Sequence, residues 1–113
     1  MIEKTVPEII LDQLGGNRFL VMTGCHHLLG DKKSLQMKIP RNASRANYLK
    51  ITLEPDDTYR MEFWRYRDEC FSVRNGKCYQ TKAINETVKT YDGVYFDQLQ
   101  FIFTQVTGMY TSL

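Results

Sequence analysis

The sequence predicts an α+β fold, a single antiparallel sheet of four to six strands with an N-terminal and a C-terminal helix packed on one face. Apolar and polar residues alternate through the middle of the chain, as they do in strands with one buried face. Segments near both ends carry apolar residues at helical spacing, and turn-forming residues separate the strands as in hairpins. With 113 residues and no internal linker, residues 1–113 are expected to form a single domain.

Composition excludes some classes of protein. A chain that is 42% hydrophobic and 25% charged is typical of a globular domain and not of a disordered one. Its 15 basic and 13 acidic residues leave a net charge of +2, which is too balanced to predict nucleic-acid binding by itself. Any basic surface must therefore be local.

The sequence favours a cytoplasmic protein with no membrane association. The N-terminus lacks the basic and then apolar run of a secretory signal, and no apolar stretch approaches the roughly 18 residues of a membrane span. The three cysteines, an odd number, are expected to stay as thiols in a reducing compartment.

The first helix is predicted to follow Thr5, with Pro7 in its first turn, and to end at Gly15-Gly16. Its apolar stripe consists of Ile9, Ile10 and Leu14. Residues 19–23 are then apolar at nearly every position, which predicts a central strand that Gly24 ends or bends.

Three segments show the alternation of half-buried strands. Residues 35–39 alternate up to Pro40, and a polar loop covers residues 41–47. Residues 48–53 and 59–64 alternate on either side of a turn at residues 55–57. We therefore expect a hairpin over residues 48–66.

A second hairpin is predicted around Asn75-Gly76, a pair that tolerates the positive φ angles of a two-residue turn. Its register places Val73 opposite Cys78, so Cys70 lies on the other face and a disulfide with Cys78 is not expected. Asp92 is then predicted to cap a C-terminal helix over residues 94–106 that stops at Gly108.

The polar face of the sheet combines aromatic rings with cations. Bases stack on rings while lysine and arginine attract phosphates, so such a face can bind nucleic acid. The same mixture is also typical of an ordinary solvated sheet face, although that alternative explains an exposed Trp64 poorly. The residues of this face predicted to bind nucleic acid or a protein partner are Lys38, Tyr48, Lys50, Arg60, Trp64 and Tyr66.

Arg41 and Arg45 are predicted to extend the binding surface as a basic edge close to Lys38 and Lys50. Arg65 and Arg67 are candidates to continue this edge toward the end of the hairpin. Such an edge suits phosphate or an acidic protein surface, and the alternative is a solvated loop.

No catalytic residue, metal site or cofactor is predicted, and we expect a protein that is not an enzyme. Cys25-His26-His27 contains two types of zinc ligand, but the chain has no Cys-x-x-Cys pair and adjacent histidines in an extended chain point to opposite faces. Partly buried, ordinary residues are the expectation there. No nucleophile elbow is present, and Gly15-Gly16 is not followed by the residues of a phosphate-binding loop.

Four phrases of the sequence resemble a family of short uncharacterised proteins from bacteriophages and prophages of gut bacteria. The phrases are LGGNRF at residues 14–19, MTG at 22–24, RNASRANY at 41–48 and FTQVTGMYT at 103–111. The resemblance spans most of the chain except residues 68–90, and it carries no functional residues with it. It implies a small phage-type protein in the host cytoplasm that acts by binding.

Two functions follow from these observations. The first is nucleic-acid binding, with Tyr48, Trp64 and Tyr66 stacking on bases and the cations contacting phosphates. The second is a protein-binding inhibitor of a host defence system, similar to anti-CRISPR proteins, because aromatic residues and arginine also dominate protein interfaces. A homodimer through an exposed edge strand or the aromatic face is a further expectation.

Overall fold

The computed structural model describes residues 5–67, 70–81 and 83–109, and it confirms the α+β class. Five antiparallel strands form one open sheet in the order β1-β2-β3-β4-β7, and β5 and β6 form a separate two-stranded sheet. The strands are β1 (His26–Gly30), β2 (Ser34–Lys38), β3 (Tyr48–Leu53), β4 (Tyr59–Arg67), β5 (Cys70–Arg74), β6 (Lys77–Thr81) and β7 (Ile84–Val94). The helices are α1 (Val6–Leu14), α2 (Asn17–Thr23), a 3-10 helix (Phe96–Gln98) and α3 (Leu99–Thr107). Within these described ranges, no helix is long and apolar enough to cross a membrane.

The predicted hairpin of β3 and β4 forms the centre of the sheet. Its register places Leu49 opposite Phe63 and Ile51 opposite Met61, and all four side chains are buried. The same alternation buries Leu35 and other residues of β2, so the sheet has one apolar face. The strand predictions for residues 35–39, 48–53 and 59–64 are therefore confirmed.

The turn between β3 and β4 is held by Asp56. Its carboxylate accepts hydrogen bonds from the hydroxyl of Thr58 at 2.6 Å and from the backbone N–H of Thr58 at 3.2 Å. These hydrogen bonds stabilise the charged form and lower the pKa of Asp56. The predicted turn at residues 55–57 is therefore stabilised by hydrogen bonds between Asp56 and Thr58.

The first helix begins and ends as predicted, with Thr5 at its N-cap and Gly15 at its C-cap. Gly15 has a φ of 125°, and a Cβ there would lie 3.3 Å from the Cβ of Phe19 and 3.2 Å from the amide nitrogen of Gln100. That amide donates to the carbonyl of Leu14 at 2.8 Å, which joins α1 to α3. Glycine is therefore required at this position by both backbone angle and space.

Residues 19–23 form a helix, so the prediction of a central strand there is wrong. Phe19 and Thr23, four residues apart, are buried, whereas Val21 is 75% exposed, which is helical and not strand periodicity. Phe19 packs against Phe103 of α3 with ring centroids 4.9 Å apart. The apolar run therefore contacts the helical layer through one side, and Gly24, in the left-handed conformation, ends α2.

The exposure of Val21 gives a test of this correction. We expect Val21→Ala to raise the free energy of unfolding by roughly 0.5 kcal/mol, because alanine is the better helix former and little burial is lost. Urea unfolding measures the change, and Val94→Ala, at a buried position of β7, should lower the same quantity by about 1–3 kcal/mol. A comparable decrease in the free energy of unfolding in both variants would contradict the helix at residues 17–23.

The C-terminal helix starts later than predicted, because Asp92 and Val94 belong to β7 and not to the helix. Val94 is buried opposite Tyr59 of β4, so long-range strand pairing outweighs the local capping signal of Asp92. The turn into the helix is instead closed by the side-chain oxygen of Gln98, which accepts the backbone N–H of Tyr95 at 3.0 Å. Gly108 ends α3 in the left-handed conformation, as predicted.

The hairpin of β5 and β6 has the predicted register, with Val73 opposite Cys78. Asn75 and Gly76 have φ angles of 51° and 75°, the left-handed values that a two-residue turn requires. Cys78 is exposed with a free thiol. In the same register Cys70 is paired with Thr81.

Candidate functional site

Aromatic residues form a cluster on the polar face of the sheet. Tyr48 on β3 lies opposite Trp64 on β4, and their rings are parallel to within 10° with centroids 5.3 Å apart. Tyr66 meets Tyr48 edge to face, with centroids 6.1 Å apart and an angle of 76°. Such cross-strand pairs stabilise each other and hold the rings in fixed orientations.

Two lysines border the aromatic cluster. Lys38 pairs with Tyr48 across β2 and β3, and its Nζ lies 5.7 Å from the centre of the tyrosine ring, a cation–π distance. Lys50 lies two residues from Tyr48 on the same side of β3, opposite Gln36 and Glu62. We call the surface formed by Lys38, Tyr48, Lys50, Trp64 and Tyr66 the ring face.

A depression of about 360 Å³ adjoins the ring face. Trp64 and Lys50 contribute to its wall, together with Glu62. Gln36 of β2 and Asn85 and Thr87 of β7 also line it, and Thr87 lies directly opposite Trp64. The depression thus combines an aromatic ring, one cation, one carboxylate and neutral hydrogen-bonding groups.

Arg60 belongs to the same side of the sheet but lies apart from the rings. It precedes Trp64 by four residues on β4, which corresponds to about 13 Å along an extended strand. Its guanidinium contacts the carboxylates of Glu62 at 3.8 Å and Asp92 at 3.5 Å. These carboxylates offset its charge, so Arg60 is a weaker phosphate ligand than its sequence position predicts.

Arg41 and Arg45 lie on a different surface from the ring face. They line a pocket of about 510 Å³ together with Arg65. Strand alternation places Arg65 on the same side of β4 as the buried Phe63, whereas Trp64 lies on the other side. The core residue Ile39 also lines the pocket, so the pocket lies on the core side of the sheet. We call this concavity the arginine pocket; the structure brings Arg41 and Arg45 together with Arg65 and not with Lys38 and Lys50.

Asn42 organises the loop that forms the arginine pocket. Its side-chain amide donates to the carbonyls of Pro40 at 2.9 Å and Ala46 at 2.7 Å. Its side-chain oxygen accepts the backbone N–H of Ser44 at 3.0 Å and the hydroxyl of the same residue. The loop is further tied to α3, because the N–H of Ala43 donates to the carbonyl of Thr107 at 3.1 Å.

Asn47 connects this loop to the end of the ring face. Its side chain exchanges two hydrogen bonds with the backbone of Tyr66, at 2.6 Å and 2.8 Å. Its own N–H donates to the carbonyl of Trp64, and its carbonyl accepts the N–H of Ile39. Loop and strands are therefore held in one arrangement by Asn47.

Cys25 is followed directly by two histidines, and the structure places the three side chains in different surroundings. Burial raises the pKa of the Cys25 thiol, an effect that a hydrogen bond with Thr23 partly offsets, so the thiol is neutral and weakly nucleophilic. His26 and His27 are exposed, and their ring centroids are 4.6 Å apart because His27 has a φ of 54°. The expectations that the two histidines are partly buried and that their side chains point to opposite faces are therefore wrong. Among the residues that the structure describes, no group of three or more His, Cys, Asp or Glu is placed to hold a metal ion.

Comparison with known proteins gave no match. No family model, no curated protein and no solved structure matches the chain. The resemblance to bacteriophage proteins therefore stays a prediction from the sequence phrases.

Proposed function

We propose that this protein binds single-stranded nucleic acid through the ring face. The observation that carries the proposal is the parallel stack of Tyr48 and Trp64 beside a depression and between Lys38 and Lys50. Unpaired bases stack on aromatic rings, whereas the bases of a duplex are hidden within its own stack. The ring face is therefore suited to one strand.

The depression offers a place for a base beside Trp64. Glu62 can accept a hydrogen bond from an amino group on a base edge, and Asn85 can both donate and accept. Lys50 lies opposite Glu62, lines the same depression and supplies a cation for the adjoining phosphate. The carboxylate of Glu62 repels phosphate, so the depression favours the base over the backbone.

The charges of the ring face predict a shallow dependence on salt. Lys38 and Lys50 are its cations, while Arg60 contacts two carboxylates and the loop arginines lie elsewhere. Two phosphate contacts on a single strand give a slope of log K against log salt of about −1.4. Affinity should then fall about sevenfold between roughly 50 and 200 mM salt, which is less than the steep loss expected when all of the predicted cations act together.

The direct test uses the protein's single tryptophan, Trp64, as a reporter. We expect a labelled single-stranded oligonucleotide to quench Trp64 fluorescence and to gain anisotropy, with a duplex of equal length binding more weakly. Trp64→Ala should weaken the binding measured by anisotropy by about 5- to 150-fold, the value of one lost stacking contact. Tyr95→Ala, which removes an exposed ring outside the ring face, is the matched control and should leave affinity unchanged.

The absence of binding at low salt, or equal affinity of Trp64→Ala and the unaltered protein, would overturn the proposal.

The second candidate, a protein-binding inhibitor of a host defence system, is favoured by edge strand β1. Its five residues are all exposed, including Leu29 at 63%, and an exposed edge can pair with another chain. Light scattering would detect a homodimer formed through this edge. Affinity capture from a mixture of host proteins would detect a heterologous partner.

A further inference from the structure

Beyond the ring face, we infer that the arginine pocket is a separate site that binds a phosphomonoester on a small organic group. Arg41, Arg45 and Arg65 line one concavity of about 510 Å³, a volume typical of small-molecule sites. A guanidinium can bind two oxygens of a phosphate at once through its planar fork of donors. The inference does not depend on the proposed nucleic-acid binding, because the two surfaces lie on opposite sides of β4.

The charged side chains among the described residues that line the pocket are all positive. Within this described part of the lining there is no carboxylate. Within residues 5–67, 70–81 and 83–109, no ion pair joins Arg41, Arg45 or Arg65 to an acidic side chain. Three cations held near each other repel one another, and an anion with two charges relieves that repulsion.

The other polar side chains of the pocket do not compete for this role. The amide of Asn42 donates to two carbonyls of its own loop, and the amide of Asn47 is bound to the backbone of Tyr66. The guanidinium groups are therefore the charged donors among the described residues that line the pocket. Ile39, Pro40 and Ala46 supply an apolar wall, which gives the organic part of the ligand a surface to contact.

The backbone at Arg45 supports a binding role for its side chain. Arg45 has a φ of 67°, a left-handed value that costs a residue with a long side chain about 1–2 kcal/mol. The hydrogen bonds of Asn42 and Ser44 hold the loop in this conformation. Glycine would adopt it without strain, so the presence of arginine indicates that the side chain itself is useful there.

The test is a titration of the full chain with adenosine 5′-monophosphate, followed through the arginine side-chain signals by NMR and through heat by calorimetry. We expect the signals of Arg41, Arg45 and Arg65 to shift, with a Kd at or below about 1 mM. Inorganic phosphate should bind more weakly at the same residues, and adenosine should not bind. A 5′-phosphorylated oligonucleotide, compared with its unphosphorylated form, distinguishes a polynucleotide end from a free metabolite as the source of the phosphate.

Two variants make the test independent of folding. Arg65→Ala and Arg45→Gly should each weaken binding of the monophosphate about tenfold, the loss of one hydrogen bond to a charged group. Arg45→Gly also relieves the backbone, so unfolding cannot explain its loss of affinity. Arg18→Ala, at an exposed arginine of α2 outside the pocket, should leave affinity unchanged.

Three outcomes would overturn the inference. The first is no shift of the three arginine signals with up to about 10 mM monophosphate. The second is an equal loss of affinity in Arg18→Ala and Arg65→Ala, which indicates only general attraction to positive charge. The third is loss of monophosphate binding in Trp64→Ala, which places the ligand on the ring face. If the oligonucleotide fails to bind the ring face but the monophosphate binds as expected, the proposed function fails and the arginine pocket stands.

Discussion

Phe103→Ala is expected to lower the free energy of unfolding by about 3–5 kcal/mol. The side chain of Phe103 is fully buried, and its ring meets that of Phe19 edge to face at 4.9 Å. Truncation removes the apolar contacts and leaves a cavity between α2 and α3 that rigid neighbours cannot fill completely. Because domains of this size are stable by only about 5–15 kcal/mol, the variant loses a large part of its stability.

Urea unfolding followed by circular dichroism measures this loss. The matched control is Phe101→Ala on the same helix, where the side chain is 63% exposed and the expected change is within about 0.5 kcal/mol. The double variant Phe19→Ala, Phe103→Ala should show a coupling of about 0.5–1.5 kcal/mol beyond area burial. Equal effects of Phe101→Ala and Phe103→Ala would contradict the orientation of α3.

The central strands could be predicted because their signal is periodic and their turns are local. Leu49, Ile51, Met61 and Phe63 alternate with polar residues, and a slip of one residue in the hairpin around residues 55–57 would turn the apolar set of one strand to the solvent face. The same reasoning places Tyr48 opposite Trp64, so the aromatic pair of the ring face was accessible from the sequence. The parallel stacking of the two rings could not be predicted from the sequence, because ring orientation depends on neighbouring side chains.

The run at residues 19–23 was misassigned because a short apolar run lacks a period. Strand and helix differ there only in which residues are buried together, and Val21 is exposed while Phe19 and Thr23 are not. Gly16 and Gly24, both with a positive φ, bound the segment on its two sides. They signal where the element starts and stops but not which element it is.

The segment at residues 84–94 shows how long-range pairing overrides local signals. β7 pairs with β4 over its length, with register shifts at two places, one of them between Phe63 and Trp64. A bulge of this kind changes which residues face which side of the sheet. For that reason Asn85 and Thr87, which line the depression beside Trp64, could not be assigned to the site from alternation alone.

The loop residues of the predicted binding surface were the least accessible to sequence reasoning. Alternation says on which side of a strand a residue lies, but residues 41–47 have no period to follow. Their path is decided by hydrogen bonds of Asn42 and Asn47 with backbone groups, and these turn Arg41 and Arg45 toward Arg65. One basic edge beside the rings was predicted, and two separate surfaces are present.

Asn42→Asp is expected to lower the free energy of unfolding at neutral pH by about 3 kcal/mol. The substitution keeps the acceptor for Ser44 but replaces the amide that donates to the carbonyls of Pro40 and Ala46. An ionised carboxylate then faces two carbonyl oxygens, so two hydrogen bonds become repulsive contacts in a partly buried site. Urea unfolding near neutral pH measures the loss, and Asn85→Asp, at an exposed residue of β7, is the control with an expected change within about 0.5 kcal/mol.

The same substitution has a pH dependence whose sign follows from these contacts. Protonation lets the introduced carboxyl donate to one of the two carbonyls, so the folded state favours the protonated form and raises the pKa of that group above its unfolded value. The stabilising contribution is therefore present below the unfolded pKa of about 3.9 and is lost as pH rises through the folded pKa. The deficit of Asn42→Asp relative to the unaltered protein should shrink between neutral pH and about pH 4. A deficit that stays constant or grows on acidification would show that Asn42 does not hold the loop through its amide, and the arginine pocket would then need another support.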